Sequence, residues 1–140
     1  MKKITNSEQE TKEFAKTFFQ KNQKNVLLLF GDLGSGKTVF SKGAADFYNL
    51  KSTITSPTYV IIKEYEIKKS NFSKLVHIDL YRIDRIDQDL ENQIKEYIED
   101  KSNLLIIEWP ENIMSIIPKN VIQKIIFKHI SKNKREITIL

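Results

Sequence analysis

One short glycine-rich segment limits the fold of this 140-residue chain more than any other feature. All four glycines lie within residues 31–43, and three of them belong to residues 31–38, which fit the pattern G-x-x-x-x-G-K-[ST] in full. Glycine is needed where the backbone turns with positive φ or comes close to a ligand. A chain that uses so little glycine therefore has one place that requires such backbone.

The sequence on either side of this octapeptide is typical of a phosphate-binding loop. The apolar run 26–30 precedes it, as expected of a strand buried on both faces, and residues 37–49 have helical spacing. Backbone N–H groups in such a loop, together with the helix N-terminus, bind the β-phosphate of a nucleotide. Lys37 would add positive charge near the β and γ oxygens, and Thr38 would offer its hydroxyl to Mg²⁺. The sequence therefore predicts a nucleotide site.

The remaining elements are predicted from apolar periodicity and turn residues. In chain order they are a helix over 7–22, the strand 26–30, a helix over 37–49, strands over 58–67 and 75–80, an acidic-faced helix within 84–100, a strand over 104–107, and a closing hairpin of 121–130 and 137–140. This order predicts an α/β fold with a mixed central sheet. We expect a three-layer sandwich of the P-loop NTPase type, with a C-terminal antiparallel hairpin, as a single domain over 1–140.

Composition narrows the class of protein further. The chain has no cysteine, which excludes disulfides and thiolate chemistry and suits a reducing cytosol. No apolar run approaches the ~18 residues that span a bilayer, and the start of the chain lacks the apolar core of a signal peptide. We therefore expect a soluble cytoplasmic protein with no membrane association, monomeric or a small oligomer when alone.

Charge is distributed unevenly along the chain. The formal net charge is +5, and residues 119–140 contain six basic side chains and one acidic side chain, so the whole excess falls on the predicted terminal hairpin. A uniformly basic nucleic-acid-binding surface is therefore not expected. The hairpin is a local basic edge, which fits a tRNA contact, docking onto a partner, or solvated lysines with no specific role.

Two predicted strands end in a carboxylate. Residues 104–107 precede Glu108, and the similar run 75–78, which contains a histidine, precedes Asp79. A phosphate-loop enzyme needs such an acid beside the loop, directed at Mg²⁺. The cleaner apolar run favours Glu108 as the acid on the metal side and Asp79 as a second acid that orients water or holds a metal-bound water. Spacing alone leaves open which acid has which role.

Three further features lie near the predicted site. Residues 55–59 occupy the position of segments that sense the γ-phosphate, often through a Thr hydroxyl, although an ordinary Ser/Thr-Pro turn has the same pattern. Arg82 follows the strand that ends in Asp79. Three roles are open for it: it stabilises charge in the transition state, it contacts a partner protein, or it is a solvated surface residue. Trp109 directly follows Glu108, so it is either a packing residue or a residue near the nucleotide.

Taken together, these motifs resemble the TsaE (YjeE) family over nearly the whole chain. The segments that carry the resemblance are, in order, residues 31–38 with Phe40 and Gly43, then Ser56-Pro57-Thr58-Tyr59, then His77-Ile78-Asp79-Leu80-Tyr81-Arg82, and finally Ile107-Glu108-Trp109-Pro110-Glu111. Many nucleotide hydrolases share the phosphate loop. The two later segments are far more specific.

The resemblance implies a bacterial ATPase that uses ATP and Mg²⁺ and works with TsaB- and TsaD-type partners. Together they place threonylcarbamoyl on the adenosine beside the anticodon of tRNA. Family members do not make that bond themselves. The resemblance implies that ATP binding and hydrolysis reset the complex between turnovers. Because the chain has no obvious arginine finger, we expect its hydrolysis to be slow alone and stimulated by partners, and we expect at most an indirect or transient contact with tRNA.

The resemblance also implies roles for individual residues. Catalysis is expected from Lys37, Asp79 and Glu108, and Mg²⁺ binding from Thr38 and Glu108. The residues expected to contact the nucleotide are Gly34, Ser35, Gly36, Lys37, Thr38, the switch residue Thr58 and, near the adenine or elsewhere on the nucleotide, Thr11 and Glu111.

Two other functions fit the same loop. A small-molecule kinase normally supplies several arginines from a lid to hold the transferring phosphoryl group, and this chain has only Arg82, Arg85 and Arg135. A nucleotide-sensing adaptor would bind ATP without turnover, and substitution of Glu108 or Asp79 would then leave complex turnover unchanged.

Overall fold

The computed structural model describes residues 1–52, 54 and 61–140. Its helices and strands are, in chain order, β1 (Lys2–Thr5), α1 (Glu8–Lys21), β2 (Val26–Phe30), α2 (Lys37–Phe47), β3 (Ile62–Glu66), β4 (Lys74–Asp79), α3 (Gln88–Glu99), β5 (Asn103–Glu108), β6 (Ile122–Ser131) and β7 (Lys134–Ile139). Two 3₁₀ segments, Pro110–Ile116 and Lys119–Val121, connect β5 to β6.

Within the described ranges, seven strands form one mixed sheet in the order β1-β7-β6-β2-β5-β4-β3. The central strands β4, β5, β2 and β6 are parallel, while β3, β7 and β1 add antiparallel partners at the two sides. Helices α1 and α2 pack on one face, and α3 with the first 3₁₀ segment packs on the other. The predicted three-layer α/β sandwich with its C-terminal antiparallel hairpin is confirmed.

Strand β2 carries the phosphate loop and lies at the centre of the sheet. Residues 26–29 have no exposed surface, as the apolar run predicted, because both faces of a parallel strand are covered. Strand β5 pairs directly with β2, and β4 lies one strand further away. This order places the end of β5 beside the loop.

The first helix begins where the sequence predicted, with a variation in its cap. Ser7 is the N-cap, and its Oγ accepts a hydrogen bond from Glu10 N at 3.0 Å. In a capping box the Glu10 carboxylate would accept from Ser7 N–H, but here it accepts from Asn6 N at 2.8 Å. The cap therefore extends one residue further back, and it ties the chain leaving β1 to the start of α1.

Phe40 joins both helices of one layer to the sheet. Its side chain is fully buried, and its ring centroid lies 5.6 Å from those of Phe18 and Phe19 on α1 and 5.5 Å from that of Phe127 on β6. Aromatic pairs at this separation add stabilisation beyond their buried area. Helix α2 is consequently held firmly at the end where it receives the loop.

One strand was not predicted, and two predicted elements have narrower bounds in the described residues. Strand β1 was not predicted, because its four residues gain their ladder only by pairing with β7, 130 or more positions away. Helix α3 begins at Gln88 because Asp87 caps it, its Oδ1 accepting from Leu90 N at 2.8 Å. The first residues of the predicted strand 58–67 lie outside the described residues, and β3 covers Ile62–Glu66.

Gly43 provides a test of the packing between α1 and α2. A Cβ added there would lie 2.5 Å from the Cβ of Ala15 and 3.0 Å from the carbonyl oxygen of Lys12. We expect Gly43→Ala to lower the free energy of unfolding by about 1–3 kcal/mol, since overpacking outweighs the gain in helix propensity. Urea denaturation measures this. The Ala15→Gly background should reduce the cost, and additive effects of the two substitutions would contradict the proposed contact.

Candidate functional site

The loop after β2 forms a backbone cradle at the start of α2. Gly36 has φ +107°, a conformation that favours glycine, and α2 begins immediately afterwards at Lys37 with no side-chain cap. The first N–H groups of the helix are therefore not occupied by a capping side chain. A helix N-terminus of this kind attracts a phosphate group.

Lys37 lies buried inside this cradle. Its Nζ donates to the carbonyl oxygens of Gly31 at 2.6 Å and Asp32 at 2.9 Å, and it sits 4.4 Å from the ring centroid of Trp109. Burial lowers the pKa of Lys37 from its usual value, while the negative charges of Glu108 and Asp79 oppose that shift. The ammonium is thus held among backbone carbonyls, close to the two predicted acids.

The two carboxylates lie side by side at the edge of the sheet that faces the loop. The parallel register pairs Asp79 of β4 with Glu108 of β5, so both acids fall at the carboxyl ends of their strands and on the same face. Their surroundings differ. Glu108 is 2% exposed, whereas Asp79 is partly exposed and accepts a hydrogen bond from Tyr81 N at 3.0 Å.

Glu108 is also in contact with the start of α2. The Thr38 hydroxyl lies 3.4 Å from each of its carboxylate oxygens, and Ser41 Oγ lies 3.5 Å from Oε1. The structure therefore brings together the two residues predicted to bind Mg²⁺. Asp79 is one strand further from the loop, which separates the two acids by position as well as by exposure.

Two aromatic residues line the same cavity. Trp109 follows Glu108 with φ +57°, and its ring lies 4.9 Å from that of Tyr81, centroid to centroid. The cavity is lined by Glu8, Leu33, Gly34, Ser35, Gly36, Lys37, Thr38, Val39, Asp79, Tyr81, Glu108, Trp109 and Arg135. The phosphate loop, both acids and Trp109 thus share one cavity.

Arg135 belongs to this cavity, although the sequence pattern did not indicate it. Its side chain is 4% exposed and lies directly against the loop, because a Cβ added to Gly36 would come within 2.7 Å of Arg135 Cδ. Its Nη1 donates to Thr11 Oγ1 at 3.3 Å, and its buried Nε has no hydrogen-bond partner among the described residues. The described residues include no ion pair to Arg135, so a buried cation lies unneutralised beside the phosphate cradle.

Thr11 supports this arginine from α1. It is fully buried, and its hydroxyl lies 2.7 Å from that of Thr5 on β1 and donates to Ser7 O at 3.0 Å. Thr11 does not itself line the cavity. Arg135 connects it to the loop, so the predicted nucleotide contact of Thr11 stays a prediction.

The other predicted residues take different places. Glu111 is exposed and does not line the cavity, Arg82 is exposed in the loop after β4, and Thr58 with the predicted switch lies outside the described residues. His77 is fully buried in contact with Glu108. Of the six basic residues in 119–140, Arg135 turns inward, whereas the lysines stay at least partly exposed, namely Lys119, Lys124, Lys128, Lys132 and Lys134.

The donor groups fit a magnesium ion that is bound together with a nucleotide. The described part of the chain holds no cluster of three or more His, Asp or Glu side chains able to bind a metal ion. Thr38 and Glu108 supply only two donors, and both are oxygen groups of the kind Mg²⁺ prefers. Mg²⁺ usually keeps several waters and binds through one or two protein groups plus substrate phosphates. None of the described helices is long and apolar enough to cross a membrane.

The P-loop class of nucleotide-binding proteins is defined by a buried parallel strand, a glycine-rich loop and a helix that begins with lysine and threonine. This chain has all three. Residues 5–137 match the family model described as threonylcarbamoyl adenosine biosynthesis protein TsaE. The chain belongs to the TsaE family.

Individual relatives agree with this assignment. The chain is 37% identical over 130 residues to a Borreliella burgdorferi protein, with 91% of both chains covered, and 39% identical over 132 residues to a Rickettsia typhi protein, covering 93% of this chain and 88% of that one. Both carry the name tRNA threonylcarbamoyladenosine biosynthesis protein TsaE. The crystal structure of Bacillus subtilis YdiB superposes with a TM-score of 0.71 and 30% identity, over 99% of this chain and 83% of YdiB.

Proposed function

We propose that the protein binds ATP with Mg²⁺ and hydrolyses it slowly, in support of threonylcarbamoyl modification of the adenosine next to the anticodon in tRNA. It would act with partner proteins of the TsaB and TsaD type in the cytoplasm. Its contact with tRNA would be indirect or transient. The observation that carries the proposal is the meeting of Thr38, Glu108 and Asp79 at one end of the phosphate loop.

The cradle residues would hold the nucleotide. Backbone N–H groups of residues 34–38 and the N-terminus of α2 face the β-phosphate in this class of site. Lys37 would exchange its bonds to the carbonyls of Gly31 and Asp32 for the β and γ oxygens. That exchange is favourable because a charged phosphate is a stronger acceptor than a neutral carbonyl.

The acids would divide the remaining work. Thr38 and Glu108 would hold Mg²⁺, which neutralises charge on the β and γ oxygens during hydrolysis. Asp79 is less buried and one strand further from the loop, so it would orient the attacking water by accepting its proton or a hydrogen bond. The strand order supports this division, which residue spacing alone left open.

The positions of the arginines are a reason to expect that the isolated protein hydrolyses ATP slowly. Arg82 and Arg85 are exposed and do not line the cavity, and Arg135 lies against Gly36 in contact with Thr11. An arginine that stabilises the γ-phosphoryl transition state typically contributes about 10³–10⁵ in kcat. We expect a partner either to supply such a group or to reposition Arg82.

The test compares the protein alone with the protein mixed with TsaB- and TsaD-type partners and substrate tRNA. We expect turnover of ATP by the isolated protein well below the ~1–100 s⁻¹ typical of kinases, stimulation by the partners, and modified tRNA over several turnovers only when all components and ATP are present. Fast hydrolysis that ignores the partners, or phosphoryl transfer to a metabolite, would refute the proposal in favour of a kinase. If the protein binds ATP but does not hydrolyse it, either alone or with the partners, the result would favour a nucleotide-sensing adaptor.

A further inference from the structure

His77 is the one fully buried histidine in the described part of the chain, and the division of roles above does not use it. It lies in β4, two residues before Asp79, so both side chains fall on the sheet face that carries α1 and α2. The parallel register sets it opposite Ile106 of β5, two residues before Glu108. His77 therefore lies beside the two acids on the same sheet face, two residues closer to the start of the parallel strands.

The imidazole makes the shortest side-chain contact of Glu108. His77 Nε2 lies 3.0 Å from Glu108 Oε1, compared with 3.4 Å from Thr38 Oγ1 and 3.5 Å from Ser41 Oγ to the same oxygen. An ionised carboxylate only accepts hydrogen bonds, so Nε2 carries the proton in this contact. The other ring nitrogen, Nδ1, is buried with no hydrogen-bond partner in the described residues, so the contact with Glu108 is the one that fixes the ring.

The contacts divide the two oxygens of Glu108 unequally. Thr38 Oγ1 lies 3.4 Å from both oxygens, but Oε1 is also bound by His77 and faces Ser41, so Oε2 has only the Thr38 contact among the described side chains. Thr38 is also the hydroxyl proposed to bind Mg²⁺. A carboxylate held at one oxygen presents the other in a fixed direction, which is how groups behind a metal ligand raise metal affinity.

We propose that His77 is a positioning residue that holds Oε1 of Glu108, so that Oε2 faces the magnesium ion beside Thr38. This inference rests on the proposed function, since it assigns no direct contact between His77 and the nucleotide or the metal. It also accounts for a buried polar side chain whose neighbours on this sheet face include the apolar residues Leu75 and Ile106.

The test compares variants that differ only in whether a donor reaches Oε1. Glutamine places its amide N–H₂ at about the position of Nε2, asparagine is too short to do so, and leucine keeps the volume without any donor. Each variant is characterised by thermal unfolding, by ADP affinity in EDTA, and by Mn²⁺ binding to the protein–ADP complex, followed by electron paramagnetic resonance.

We expect His77→Leu and His77→Asn to weaken Mn²⁺ binding about 10- to 100-fold, with ADP affinity in EDTA within about twofold of wild type. His77→Gln should restore Mn²⁺ affinity to within a few-fold of wild type. If His77→Leu does not fold, the comparison of the glutamine and asparagine variants decides. Equal Mn²⁺ affinity in those two variants, or an equal loss of ADP affinity in EDTA, would overturn the positioning role.

The outcome for the wild type separates this inference from the proposed function. If the wild-type complex binds Mn²⁺ and the His77 variants bind it equally well, only the role of His77 is refuted. If the wild-type protein binds neither ADP nor Mn²⁺ with ADP, the proposed nucleotide function is refuted and the role of His77 with it.

Discussion

Glu108→Gln is expected to lower ATP hydrolysis by about 10²–10³, measured with the partners present, while ADP affinity in EDTA stays near the wild-type value. The amide retains the shape of the side chain and its place beside Thr38, but it loses the charge that the metal requires. Mg²⁺ titration of nucleotide binding, followed by calorimetry, should show the loss of metal affinity directly.

Asp79→Asn is the matched variant, since it removes a charge one strand away on the same face of the sheet. We expect a fall in hydrolysis of about 10²–10⁴ with Mg²⁺ affinity retained, because this acid is proposed to act on water and not on the metal. A loss of Mg²⁺ affinity in the Asp79 variant and its retention in the Glu108 variant would reverse the two roles.

Arg135→Met is expected to weaken ATP and ADP binding about 10- to 100-fold and to leave the fold at least as stable as wild type. A charge-assisted hydrogen bond to a phosphate contributes about 1.5–3 kcal/mol, which corresponds to this range. Stability should be kept because the free protein buries this guanidinium beside Gly36 with no ion pair among the described residues. Methionine fills the volume without that desolvation cost.

Isothermal calorimetry with ADP and thermal unfolding without nucleotide measure the two effects. Lys134→Met is the control, because it removes a positive charge from the neighbouring residue of β7, whose side chain points to the opposite face of the sheet. It should change neither quantity appreciably. Unaltered ADP affinity in Arg135→Met would show that the arginine serves packing alone, and lower stability would show that its polar contacts are net stabilising.

The phosphate loop was predictable in its detail because all of its determinants are local. The apolar run before it, the glycines within it, and the lysine and threonine after it fall in thirteen consecutive residues, 26–38. The backbone geometry at Gly36 follows from that short stretch. The acids at 79 and 108 were predictable as candidates for the same reason, since each ends its own apolar strand.

The proposed division of roles between those acids rests on the order of the strands. Periodicity predicts that 75–80 and 104–107 are strands, but it does not say which of them pairs with β2. The sheet places β5 there, so Glu108 reaches Thr38 across 70 positions of sequence and His77 reaches Glu108 across 31. Such contacts depend on register between distant strands, which no local pattern encodes.

Arg135 shows most clearly which features of the site sequence patterns do not predict. In the sequence it is one of six basic residues in the terminal segment, and its neighbours are all polar. Only the alternation of side chains along β7, and the pairing of that strand with β1 and β6, turn it inward to Gly36 and Thr11. A charge count cannot separate it from the lysines around it, because burial is a property of the assembled sheet.

By itself, the sequence determined the fold class, the phosphate loop and the pair of candidate acids, because each depends on spacing within a short stretch of chain. The tertiary structure alone decided which acid lies beside the loop, what holds its carboxylate, and which basic residue enters the cavity. Those outcomes depend on strand order and on which face of the sheet each side chain occupies, and both arise only when distant segments pack together.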